Sequence, residues 1–151
     1  MIRRKMEAAL SDAKSRDDPV RTALLRLMLT ALHDRAAGIA AEEGTQRLTD
    51  AEAMDLLRRM LRQRELSVAR YEKAGRMELA EQERREIAII REFLPRPLSD
   101  EDLTREVDRA VRDSGAHSIR DLGRVMALLR SRFPGRIDLA TARGRARDTL
   151  A

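Results

Sequence analysis

The sequence predicts an all-α protein built of two helical parts, and three observations carry that prediction. Aromatic residues make up only 2% of the 151 residues and there is no Trp. The core must therefore come from Leu, Ile, Val, Met and Ala, a set weighted towards helix formers and short of the side chains that favour strands. Apolar residues recur at three- and four-residue spacings, and capping residues or Gly and Pro punctuate the periodic runs.

The first amphipathic segment runs from about Ile2 to Ser15 and breaks at Arg16-Asp17-Asp18-Pro19. Asp18 is placed to cap a second helix and Pro19 fits its first turn. That helix presents Val20, Ala23, Leu24, Leu27, Met28 and Ala31 as one buried face, and fades between Gly38 and Gly44; Glu42 to Arg47 forms a surface loop. Thr49-Asp50-Ala51-Glu52 is a capping box opening a long helix that ends at Gly75. Its apolar stripe is Met54, Leu57, Leu61 and Val68; its other face carries Arg58, Arg59, Arg62, Arg64 and Arg70. Ala74-Gly75-Arg76 is a short turn, so the next helix, about Met77 to Phe93, returns antiparallel with Ala80, Ile87, Ile90 and Leu94 inward.

Pro95 and Pro97 cannot both sit inside a helix, which sets a domain junction there: an N-terminal helical domain over 1–95 and a C-terminal helical domain over 96–151. Ser99 caps a helix to about Asp113, stopped by Gly115. Ser118 to Asp121 is a further cap for a helix to about Arg132, which Pro134-Gly135 ends. Asp138 caps a last helix, Leu139 to Leu150, whose length Gly144 puts in question. Gly123 is expected at a close-packed position, Gly135 in a turn, and Met126 in the core.

Composition excludes several chemistries. The chain contains no Cys, so disulfides, thiolate nucleophiles, zinc–Cys sites and iron–sulfur clusters are out. The basic start at Met1 to Glu7 has no apolar run behind it, unlike a signal peptide, and no stretch approaches a membrane span. A cytoplasmic protein needing no membrane is the expectation. There is no Gly-rich phosphate loop; His33 and His117 lack partners at metal-ligand spacing, and no cofactor or metal is called for. Glu81, Glu83 and Glu86 could form a paired-carboxylate site, but a solvated face balancing nearby arginines explains them better. No catalytic residue emerges.

Charge is more informative. The net charge is +5. Between Ala116 and Ala151 stand Arg120, Arg124, Arg130, Arg132, Arg136, Arg143, Arg145 and Arg147, eight cations against Asp121, Asp138 and Asp148. That surplus of five equals the charge of the whole chain. A neutral body with a basic tail points to an anionic partner. Arginine forks grip phosphate, and with Phe133 the one aromatic in the tail, contact with a folded RNA's backbone is favoured over base stacking. Generic solubilising charge is the competing explanation. The Arg face of the long helix is likewise open between a salt-bridged solvated face, with Arg62 pairing Glu65, and a phosphate-tracking surface.

The order of motifs resembles the GatB/YqeY family in its free-standing form. Its carriers are Arg21 to Met28, Arg62-Gln63-Arg64 leading into Tyr71-Glu72-Lys73-Ala74-Gly75-Arg76, Glu83 to Ile87, Phe93 to Ser99, Asp121 to Met126 and Pro134-Gly135-Arg136. The resemblance covers essentially the whole chain. It implies a C-terminal helical domain similar to the tail of the B subunit of glutamyl/aspartyl-tRNA amidotransferase, where the tail helps hold tRNA. It also implies tRNA or another structured RNA, and amidotransferase subunits, as partners. A carbon–nitrogen ligase activity with glutamine as amide donor comes from the resemblance alone. The functions ranked in order are an accessory tRNA- or RNA-binding protein, a helical protein-interaction module, and an enzyme of the amidotransferase class.

Overall fold

The computed structural model describes residues 1–44 and 48–151. Among the described residues the chain is all-α, with seven α-helices and no strand. It forms two compact units, Met1–Leu94 and Pro95–Ala151.

In the N-terminal unit, α1 is Ile2–Ser15, α2 Pro19–Glu43, α3 Asp50–Lys73 and α4 Met77–Arg91. The Asp18 carboxylate accepts from the Arg21 backbone N–H at 3.1 Å, with Pro19 in the first turn of α2. Thr49 and Glu52 exchange the two bonds of a capping box at the start of α3. Gly75, at φ 73°, makes the left-handed step that folds α4 back along α3. α1 lies along α2 and touches α3, and their shared core holds the fully buried Met6, Leu25, Met28, Leu57 and Ile90.

Ion pairs tie the α3–α4 hairpin side to side. Arg64 of α3 donates to Glu83 (3.1 Å) and to Glu86, Arg91 reaches Glu65 (3.2 Å), and Arg84 reaches Glu72. Arg21 grips both carboxylate oxygens of Glu92, at 3.1 and 2.6 Å, fastening α2 to the end of α4.

Four local expectations are corrected. α2 runs through Gly38 to Glu43, and Gly44 at φ 73° is its left-handed cap, so the loop starts later than predicted. Of that loop, Thr45, Gln46 and Arg47 lie outside the described residues. The buried face of α2 is Leu24, Leu25, Met28, Leu32, Ala36 and Ile39, while Val20, Ala23 and Leu27 point outward. α2 carries apolar residues on every side, with charged ones scattered among them, so periodicity could not choose its face. Glu65 pairs with Arg91 across the hairpin rather than with Arg62. α4 ends at Arg91, two residues early, where turn bonds from Glu92, Phe93 and Leu94 to Ile89, Ile90 and Arg91 carbonyls take over.

In the C-terminal unit, α5 is Asp100–Asp113, a single 3₁₀ turn occupies Ile119–Asp121, α6 is Leu122–Arg132 and α7 Leu139–Leu150. The three helices pack pairwise around Leu103, Val107, Val125, Met126, Leu129 and Ile137, with Ala110, Ala142 and Ala146 allowing close approach. Ser99 caps α5 and Asp138 caps α7 through their side-chain oxygens. α7 passes unbroken through Gly144. Gly135 turns the chain at φ 75°. Gly123 is not close-packed: it is exposed, and a Cβ there would meet nothing within 4 Å. Among the described residues no helix is long and apolar enough to cross a membrane.

Candidate nucleic-acid interface

The eight arginines of the basic tail fall into two sets of four. The first set is engaged inside the C-terminal unit. Arg124 pairs with Asp121 at 2.7 Å, one turn back on its own helix. Arg132 reaches Asp113 at 2.7 Å and joins the ends of α6 and α5. Arg136 donates from Nε to the Arg96 carbonyl at 3.1 Å, while its own carbonyl accepts from the Leu98 N–H at 2.9 Å. Arg145 holds α7 against the first turn of α5, donating to the Asp100 carbonyl (2.8 Å), to Thr104 Oγ1 (2.9 Å) and to the Asp100 carboxylate (3.1 Å).

The second set, Arg120, Arg130, Arg143 and Arg147, is exposed and makes no ion pair among the described residues. Helical geometry decides which of these can act together. Ala142 and Ala146 fix the buried side of α7. At about 100° per residue, Arg143 and Arg147 then share one flank a single turn apart, and Arg145 lies on the opposite flank. On α6, whose buried side is Leu122, Val125, Met126 and Leu129, Arg130 and Arg132 likewise fall on opposite flanks. The exposed tail arginines therefore do not share one face: Arg143 and Arg147 pair on α7, and Arg130 and Arg120 stand on other elements. Phe133 is half-buried against the C-terminal core, which removes it from base stacking.

Asp121 organises this region. Its carboxylate accepts from the backbone N–H of His117 (2.9 Å), from Arg124 and from the backbone N–H of Ser118 (3.2 Å). These bonds favour its charged form and lower its pKa from the ordinary 3.8 to about 2. It thereby locks the 117–121 turn that carries Arg120.

Two features of this unit and its neighbour were not legible in the sequence. A shallow depression of about 440 Å³ lies between the end of α5 and α6, bordered by Arg124 and the hydroxyl residues Ser114 and Ser131. These residues meet only through helix packing. On α3, Arg64 turns inward to Glu83 and Glu86, leaving Arg59, Arg62, Arg70 and Lys73 exposed. Those four fall within roughly 80° of arc and about 21 Å of helix, a straight cationic stripe. The spacing was visible in the sequence; the inward turn of Arg64 was not. Glu81, the third carboxylate of the imagined acidic site, pairs with Arg84 at 3.4 Å, so all three are balanced by arginine.

The family described as Yqey-like protein matches this chain over residues 3–150. No curated protein matches the chain at a significant level.

Proposed function

The chain belongs to the Yqey-like protein family, and from that premise we propose that it is an accessory RNA-binding protein that grips the phosphates of a structured RNA, such as tRNA, with its C-terminal unit. The observation that carries this reading is the pair Arg143 and Arg147, exposed, one turn apart and without an ion pair among the described residues. Like charges at that spacing repel each other along a helix. An anion laid across them turns the repulsion into two charge-assisted hydrogen-bonded contacts.

Arg130 and Arg120 supply further cations on the same unit. The stripe on α3 is a second, separate surface of the same sign. The resemblance read from the sequence implies a C-terminal part similar to the tail of the tRNA-dependent amidotransferase B subunit, which favours the same reading and makes an amidotransferase subunit a candidate companion. With no aromatic platform free in the C-terminal unit, recognition rests on backbone charge and RNA shape.

The test is binding of bulk tRNA by the full chain, read by fluorescence anisotropy across a salt series. Salt-sensitive binding that weakens steeply between 50 and 200 mM is expected of roughly four phosphate contacts. Absence of binding at the lowest salt overturns the proposal.

A further inference from the structure

The N-terminal unit leaves one helix face unexplained. α2 spans 25 residues and carries apolar residues around its whole circumference, interspersed with Arg21, Arg26, His33, Asp34 and Arg35, yet only one side of it is covered by the unit. On the uncovered side Val20 and Leu27 are 52% and 51% exposed, and Ala23, Thr30, Ala37 and Ala41 are exposed with them. These positions form two interleaved seven-residue series, Val20-Leu27-Asp34-Ala41 and Ala23-Thr30-Ala37. That is the alternating three-and-four spacing of a helix–helix seam. Gly38 borders the seam, and a Cβ there would meet no packed atom of the described residues within 4 Å.

We infer that this face packs against the same face of a second copy of the chain, antiparallel, about a two-fold axis beside Thr30. Charge identifies the occupant. Asp34 is the single charge within the seam and has no ion pair among the described residues; Arg26, on its flank, has none among them either. They stand four residues to either side of Thr30. An antiparallel copy centred on Thr30 sets each residue level with the one equally far on the other side. Asp34 then meets the second copy's Arg26, and the second copy's Asp34 meets Arg26, giving two equal ion pairs across the seam. Ala23 and Ala37 meet in the same way and let the helices approach closely. A parallel pair would instead place Asp34 against Asp34. The face is thus complementary to itself in one orientation, which is the requirement for an isologous dimer.

The experiment is sedimentation equilibrium of the full chain from about 1 to about 500 µM, the range in which a modest helix–helix interface dissociates. Wild type is expected to convert from monomer to dimer across it. Asp34→Arg and Arg26→Asp, each alone, should raise the dissociation constant by at least about tenfold, and the two together should restore it to within about threefold. Because both positions are exposed, circular dichroism should show each variant folded. The chain has no Cys, so Thr30→Cys supplies the only thiol. Beside the two-fold axis it should yield a disulfide-linked dimer on mild oxidation, whereas Ala8→Cys, on the outside of α1, should not. A wild type that stays monomeric, single reversals without effect, or a double reversal no tighter than the singles would each overturn the proposal. So would equal cross-linking at positions 30 and 8.

Discussion

Replacing Arg143 and Arg147 together by Gln separates cations that serve a ligand from cations that serve the fold. Four arginines of the tail are exposed and unpaired among the described residues, so at most four phosphates are neutralised by that set. Counterion release then sets the slope of log affinity against log salt at about −2.8 to −3.6, using roughly 0.7 to 0.9 per phosphate. A fourfold rise from 50 to 200 mM KCl should weaken bulk-tRNA binding by about 50- to 150-fold. The double variant retains two cations; its slope should fall to about −1.4 to −1.8, and the same rise should cost about 7- to 12-fold. Thermal stability should not drop, since neither side chain makes a bond within the unit. Arg145→Gln is the counterpart: it loses the ties to Asp100 and Thr104, so the C-terminal unit should lose about 1 kcal/mol of stability while the salt slope stays. Fluorescence anisotropy over the salt series and urea unfolding of the same proteins read both effects. An unchanged slope in the double variant, or an equal fall in Arg145→Gln, refutes the division of the tail into two sets.

Three further outcomes test the fold. Arg64→Met removes the cation shared by Glu83 and Glu86, whose side chains, like that of Arg64, are only 17–20% exposed; two facing carboxylates remain, and urea unfolding should show a loss of about 2–3 kcal/mol, part of it recovered by adding Glu86→Gln. Asp121 has a folded pKa of about 2, below its ordinary 3.8, so its contribution is complete above about pH 4 and is lost as pH falls towards 2; the stability difference between wild type and Asp121→Asn should shrink over that window, and a difference unchanged at pH 2 would show that the carboxylate's charge is not what holds the 117–121 turn. Leu57→Ala empties a fully buried position in the N-terminal core and should cost 2–5 kcal/mol by thermal or urea unfolding, whereas Leu66→Ala on the exposed side of the same helix should cost under about 0.5 kcal/mol.

The helix starts were legible because capping is local. Asp18 with Pro19, Thr49 with Glu52, Ser99 and Asp138 each bond to a backbone N–H two or three residues on, and no distant residue is needed to recognise them. The helix ends were less legible. Gly38 and Gly144 looked like breaks, yet both helices continue because buried residues on either side, Ala36 and Ile39 in one, Ala142 and Ala146 in the other, hold the backbone to its unit. Tertiary packing there outweighs a weak local preference. The candidate site was legible as charge and illegible as geometry. The surplus of arginine in the last 36 residues is a property of composition, but Arg145 and Arg143 look alike until α5 is seen beside one of them.

The sequence by itself determined the all-α class, the caps that open most of the helices, the placement of the basic surplus and its family, since all of these depend on neighbours within a few residues or on the order of motifs along the chain. Only the tertiary structure decided which side of α2 is covered, that Arg64 turns inward while Arg62 stays in solvent, and which four tail arginines remain free. A side chain's partner is set by whatever helix packs against it, here 19 to 45 residues away, and no local spacing carries that information.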